Sequence, residues 1–170
     1  VDTFPEAAFA DVMSANERFV QTFSNQDLTG QAQQGLAIIT CMDSRIEPLR
    51  IVGMKAGDVK ILRNAGARVT EDVLRTLVLA TQLLGVNRVL VMPHTKCKMA
   101  SATEAEVHLA LTESAGMDTR SLEIRTVTDQ TAALRSDLTR IRALPYLPDD
   151  LVVGGAIYDV TSGILQPIDG

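Results

Sequence analysis

The sequence predicts an α/β domain: a mostly parallel central sheet flanked by helices, with an N-terminal helix and a C-terminal edge hairpin. Three observations predict it. Leu36-Ala37-Ile38-Ile39-Thr40 and Val89-Leu90-Val91-Met92 are short, continuously apolar runs, the pattern of parallel strands buried on both faces. Segments of helical period alternate with the strand-like runs, as in sheets whose strands are joined by crossover helices. Both cysteines of the chain, and one of its two histidines, fall just beyond the ends of these runs, where open α/β sheets place their sites.

Taken in order, the chain opens with Thr3-Phe4-Pro5-Glu6, in which Thr3 can cap a helix and Glu6 can reach back. Proline in a first turn costs no hydrogen bond. Phe9, Val12, Met13, Phe19, Val20 and Phe23 then recur with a roughly helical period, so residues 1–25 read as a helical arm. It either folds back on its own domain or reaches a partner subunit. A polar loop from Asp27 to Gly35 leads into the first strand, which ends at Cys41. Lys60-Ile61-Leu62-Arg63 is the second strand and runs into Asn64-Ala65-Gly66. Thr70 caps a helix with Glu71 and Asp72 in its first turn, favourable for the helix dipole. That helix stops at Gly85, and its many leucines and valines predict burial on more than one side. Arg88 to Met92 is the third strand. Ser101-Ala102-Thr103-Glu104 reads as a capping box for a helix to about Ala115. Ser121 to Val127 reads as a strand, and a helix begins at Thr128 or Asp129 and stops before Pro145. Leu151–Val160 and Ile164–Ile168 flank Thr161-Ser162-Gly163 as a hairpin.

The 170 residues fit one domain, 1–170, which would bury roughly 70% of its unfolded surface. With no tryptophan and four phenylalanines, the core must rest on Leu, Val, Ile and Ala. A net charge of −5 without a basic run argues against nucleic-acid binding, which needs clustered cations to neutralise phosphates. No apolar run reaches the ~18 residues of a membrane span.

The chemistry concentrates in Cys41-Met42-Asp43-Ser44-Arg45 and His94-Thr95-Lys96-Cys97. Two thiolates and an imidazole suit zinc, which accepts S and N ligands in a tetrahedron. His94-x-x-Cys97 is a local chelating pair, and Cys41 would supply a third ligand from a distant loop. The fourth position is either water or the carboxylate of Asp43, and an exchangeable fourth ligand is the mark of a catalytic zinc site. The alternatives are two cysteines buried as small apolar residues beside a surface histidine, and a Cys41–Cys97 disulfide. No secretory signal is visible, the expectation is a cytoplasmic protein, and an intracellular cysteine pair is more often metal-binding or catalytic than bridged.

Cys41-x-Asp43-x-Arg45, Arg63-Asn64-Ala65-Gly66 and His94-x-x-Cys97, in this order, resemble the motifs of the β-class carbonic anhydrases of the short type. The resemblance covers the chain from the N-terminal helix to the final hairpin. It implies a zinc enzyme interconverting carbon dioxide and bicarbonate, with zinc on Cys41, His94 and Cys97 and with Asp43 and Arg45 as a functional dyad. It also implies a homodimer or higher homo-oligomer in which the N-terminal helix lies across the partner. Two departures concern the pocket beside the ligands. Lys96 and Lys98 stand where the family often has aspartate and glycine, and Ala67 stands where a second glycine commonly follows Gly66.

The residues suggest how such a site works. The Arg45 guanidinium can hold Asp43 bidentately and off the zinc. The free oxygen of Asp43 then accepts a hydrogen bond from zinc-bound hydroxide and aims a lone pair at carbon dioxide. If the pair breaks, Asp43 can ligate zinc and close the site. His108, two turns into a helix, reads as a surface or packing residue rather than a proton shuttle. Lys96 reads either as a solvated loop lysine or as added positive potential at the mouth, and Lys98 can narrow the pocket. The competing functions are hydrolysis of carbonyl sulfide or carbon disulfide by the same nucleophile, and a zinc or thiol sensor without turnover.

Overall fold

The computed structural model describes residues 3–170. Its centre is a five-stranded sheet: β1 (Leu36–Cys41), β2 (Val59–Asn64), β3 (Arg88–Met92), β4 (Val152–Tyr158) and β5 (Leu165–Ile168), in the order β2-β1-β3-β4-β5. The first four strands are parallel, and β5 returns antiparallel on β4 as the edge hairpin. All six residues of β1 are buried, which accounts for its unbroken apolar run: a central strand covered on both faces has no polar side to alternate with. The register pairs Cys41 with Asn64 and Thr40 with Met92. The carboxyl ends of β1, β2 and β3 are therefore level, and the segments leaving them emerge together.

The helices are α1 (Ala10–Val20), α2 (Pro48–Ile51), α3 (Glu71–Leu83), α4 (Glu104–Ala115) and α5 (Gln130–Arg142). Leu77 of α3 and Leu134, Leu138 and Ile141 of α5 share a core with Ala37, Ile39, Val89 and Val91 of the sheet. A second cluster contains Leu36, Ile38, Ile46 and Met92, together with Cys41 and Cys97. Thr70 caps α3 by accepting from the Val73 amide, and Asp129 caps α5 by accepting from Ala132 N at 2.9 Å. No helix of the described residues is long and apolar enough to cross a membrane.

Several local expectations are corrected. Thr3 caps nothing: Glu6–Phe9 form a 3-10 turn with no side-chain cap, and the α-helix begins only at Ala10. Every residue of α1 is exposed, with Val12, Phe19 and Val20 each more than half exposed, as is Phe4 ahead of it. Among the described residues no hydrophobic core includes α1, so its apolar stripe is left uncovered by them. The capping box of α4 lies two residues later than expected, between Thr103 and Glu106; Ser101 instead donates to the Lys98 carbonyl of a 3-10 turn. Ser121–Val127 form no strand, because Arg125 takes φ 63° and breaks the extended run. That segment is tied down by Ile124 N donating to Glu104 and Val127 N donating to the Met99 carbonyl. Within one chain α3 buries a single side, through Val73, Leu74, Leu77 and Ala80, while Leu79 and Leu83 stand exposed.

Candidate metal centre

Cys41 is the last residue of β1, and His94 and Cys97 lie in the turn that leaves β3. Their donor atoms lie within 4.8 Å of one another and all three residues are buried. The two sulfurs are 4.0 Å apart and unbridged. Two thiolates at about 2.3 Å from a tetrahedral zinc ion would be about 3.8 Å apart. The spacing is thus that of a metal site and far beyond the ~2.05 Å of a disulfide.

The orientation of His94 is fixed by its surroundings. Its Nδ1 lies 2.8 Å from the Thr95 carbonyl, which can only accept, so the proton sits on Nδ1 and the lone pair on Nε2. Nε2 is fully buried and has no hydrogen-bond partner. A buried nitrogen lone pair without a partner is costly, and here it points into the space shared with the two sulfurs. Thr95 is itself anchored: its amide donates to the Tyr158 carbonyl, and its hydroxyl lies between Asp159 Oδ1 and the Val160 amide. From α5, Gln130 donates to the His94 carbonyl at 2.8 Å.

Cys41 accepts a hydrogen bond from the Gly66 amide at 3.3 Å. Gly66 and Ala67 both adopt left-handed conformations, φ 85° and 58°. Burial pushes the Cys97 thiol above its ordinary range. A dianionic pair of sulfurs in this apolar setting therefore needs a cation beside it, which a divalent metal supplies.

Asp43 and Arg45 form the expected pair. Arg45 Nε donates to Asp43 Oδ1 at 2.9 Å, Nη2 to Oδ2 at 2.7 Å, and the Arg45 amide to Oδ1 at 2.9 Å. These donors hold the Asp43 carboxyl well below the usual carboxylate range. Asp43 Oδ2 lies 3.8 Å from His94 Nε2, so the carboxylate borders the donor cluster while Arg45 grips it. Arg45 Nη2 also reaches the Lys96 carbonyl at 3.2 Å, and Lys96 has φ 54°. One guanidinium thereby ties the Cys41 segment to the His94–Cys97 turn.

Of the remaining candidates, Gly66 and Ala67 adjoin Cys41, whereas Lys96 and Lys98 are exposed. His108 is partly buried and packs through Nδ1 on the Thr119 hydroxyl at 2.8 Å, as a packing residue should. Sequence reading missed three contributors. Arg63 donates to the Cys41 and Asp43 carbonyls at 2.8 and 2.7 Å; Gln130 holds His94; and Arg68 pairs with buried Asp137 at 2.8 Å. Only Arg63 sat inside a recognised motif. Gln130 and Asp137 lie tens of residues away on α5, where no local signal marks them.

The two sulfurs, the partnerless imidazole nitrogen and their spacing fit a zinc ion. Comparison with known proteins agrees. The carbonic anhydrase family profile matches residues 36–117. Beta-carbonic anhydrase 1 of Mycobacterium bovis is 33% identical over 134 residues, covering 78% of this chain and 81% of the relative. A carbon disulfide hydrolase of Acidithiobacillus thiooxidans is 27% identical over 153 residues, covering 78% of this chain and 76% of that protein. The crystal structure of carbonic anhydrase from Streptococcus mutans superposes with a TM-score of 0.89 at 33% identity, over 99% of this chain and 100% of the other. The mostly parallel sheet, the Cys41–His94–Cys97 cluster at its carboxyl edge and these relationships together make the chain a member of the β-carbonic anhydrase family of carbonate-dehydratase lyases.

Proposed function

We propose that the chain holds one zinc ion on Cys41, His94 and Cys97 and catalyses the reversible hydration of carbon dioxide to bicarbonate and a proton. The observation that carries this reading is the buried, partnerless Nε2 of His94 facing two sulfurs 4.0 Å apart. When bound, the metal acidifies a water molecule and so provides a nucleophile near neutral pH. The protein's own groups do the rest. Arg45 keeps Asp43 ionised and turned toward itself, which would keep the carboxylate from competing with water for a bound metal. Asp43 Oδ2 lies 3.8 Å from His94 Nε2, and with a metal bound it would serve as the hydrogen-bond acceptor that orients the attacking water toward carbon dioxide. Two thiolates would formally cancel the charge of a divalent metal and so make its water less acidic. The Arg45 guanidinium and the Gly66 amide at Cys41 offset part of that charge.

A second reading concerns the substrate. The likeness to a carbon disulfide hydrolase favours a test of carbon disulfide and carbonyl sulfide, which are linear like carbon dioxide. The exposed apolar stripe from Phe4 to Phe23 supports a homodimer in which each arm covers the partner. Two free cysteines held as metal ligands suit a reducing compartment such as the cytoplasm. The deciding experiment is zinc analysis combined with stopped-flow carbon dioxide hydration, and hydrolysis of the two sulfur substrates measured in parallel. One zinc per chain with rapid hydration is expected. One zinc per chain with turnover of carbon disulfide alone would move the protein to the second reading.

A further inference from the structure

Asp137 is a charged residue without a part in the chemistry above, yet it is 2% exposed and fully engaged. Its oxygens accept from Arg68 Nε at 2.8 Å, Arg68 Nη2 at 3.3 Å and the Val69 amide at 3.2 Å. Arg68 is held at its other side as well. The Asn64 side chain accepts from the Arg68 amide at 2.8 Å and donates to the Arg68 carbonyl at 2.7 Å. The turn Ala65-Gly66-Ala67 is thus closed between β2 and the α5 ion pair.

This turn is not one the chain would adopt freely. Gly66 takes φ 85° without steric cost, but Ala67, 2% exposed, takes φ 58°, a conformation unfavourable for a residue with a Cβ. Such strain persists only where the surroundings over-determine it. The surroundings here are Asn64, Arg68 and Asp137. The product of the turn is the Gly66 N–H directed at Cys41 Sγ.

We propose that Asp137, acting through Arg68 and Val69, is a positioning residue of the metal centre: it holds the strained Gly66–Ala67 turn so that the Gly66 amide donates to the Cys41 thiolate. The inference rests on the reading of Cys41, His94 and Cys97 as metal ligands. Groups that hydrogen-bond a ligand or orient its partners tune the metal and typically carry 10–100-fold of its affinity. An N–H donated to a thiolate lowers the energy of the sulfur lone pairs. Its loss shifts the sulfur-to-metal charge-transfer absorption of a cobalt-substituted site to longer wavelength, which simple destabilisation of the fold does not do.

The test uses the full chain loaded with cobalt(II) or zinc. Asp137→Asn removes the charge of the strut. Because it leaves Arg68 unpaired and can compromise folding, the paired variant Arg68→Met with Asp137→Leu is made as well; replacing a buried ion pair by apolar groups is generally tolerated. In a folded variant the charge-transfer band is expected to move to longer wavelength, and zinc affinity, measured against a chelator, to fall roughly 10-fold or more. A folded paired variant with the wild-type band and wild-type zinc affinity overturns the proposal and leaves the metal reading intact. A wild-type chain that takes up neither cobalt nor zinc overturns the metal reading, and this proposal with it.

Discussion

Substituting Gly66 by alanine tests whether the turn beside Cys41 is as constrained as its geometry implies. Gly66 has φ +85°, and a Cβ built on it would stand 3.2 Å from Met99 Cβ, 3.4 Å from Met99 Cγ and 3.6 Å from Arg68 Cγ. Two costs add. The left-handed conformation costs a residue with a Cβ about 1–2 kcal/mol. The contact with Met99 Cβ is tighter than ordinary packing, and that atom cannot swing away as the end of a side chain can. Forcing extra atoms into a packed site costs about 1–3 kcal/mol, and the lower end applies because the overlap is a few tenths of an ångström. The expected loss is about 2–3 kcal/mol, a large part of the ~5–15 kcal/mol that stabilises a typical domain. Urea unfolding of wild type and Gly66→Ala, each with zinc saturating, measures it. The backbone N–H survives the substitution, so any accompanying loss of zinc affinity reports displacement of the turn from Cys41. A loss below about 0.5 kcal/mol, within the range of unremarkable surface changes, would refute the reasoning about both the conformation and the contact.

Three further outcomes are expected. Cys41→Ser and Cys97→Ser each remove one of three protein ligands, and metal analysis should show zinc affinity falling roughly 100-fold or more, given that the ~10–16 kcal/mol of a four-ligand zinc site is shared among its ligands; full occupancy in both would sink the ligand assignment. Removing residues 1–25 should convert a dimer into aggregate or unstable monomer on size-exclusion chromatography, whereas a soluble, active monomer would contradict the arm's role. Activity should rise with pH: Asp43 is already ionised throughout the neutral range because Arg45 holds its carboxyl low, so the group that gains by deprotonation is the water. Arg45→Ala frees Asp43 to occupy the fourth position and should lower the rate at every pH, most at low pH; unchanged rates across the profile would reduce the dyad to a surface ion pair.

The parts of this protein that were legible in the sequence share a physical cause. β1 is buried on both faces and β3 from Val89 to Met92 is buried or partly buried, so their apolar runs are unbroken and their ends could be placed, and with them Cys41 and His94. Caps follow short-range rules, and Thr70 was found for that reason. The α4 cap was misplaced by two residues because Ser101 and Thr103 are both competent caps, and only the 3-10 turn at Lys98–Ala100 decides between them. The segment from Ser121 to Val127 has the composition of a strand, but Arg125 turns left-handed within it, and its Ile124 and Val127 amides are satisfied by Glu104 and Met99 instead of a neighbouring strand. The exposure of Leu79 and Leu83 on α3 is illegible in the sequence for a different reason. Apolar periodicity reports that a face is covered, not which chain covers it.

The same distinction explains why the candidate metal-ligating residues are readable in the sequence and their supports are not. Ligands are chosen by element chemistry, and two cysteines with one histidine leave few alternatives. Supports are chosen by geometry, and any residue whose polar atom arrives at the right place will serve. Among the described residues, three non-glycine residues have φ > 0: Ala67, Lys96 and Arg125. All three lie in the same network. Ala67 follows the amide that reaches Cys41, the Lys96 carbonyl accepts from Arg45, and the Arg125 carbonyl accepts from Arg68. Lys96 and Arg125 turn their carbonyls toward an arginine, and Ala67 closes the turn whose Gly66 amide reaches the Cys41 sulfur. The strain is therefore localised where backbone groups must serve the site. Glycine at position 67 or 96 would reach the same conformation more easily, but would also leave it more easily. A side chain there narrows the alternatives, and the arginine–carboxylate pairs Arg45–Asp43 and Arg68–Asp137 hold the selected conformation in place.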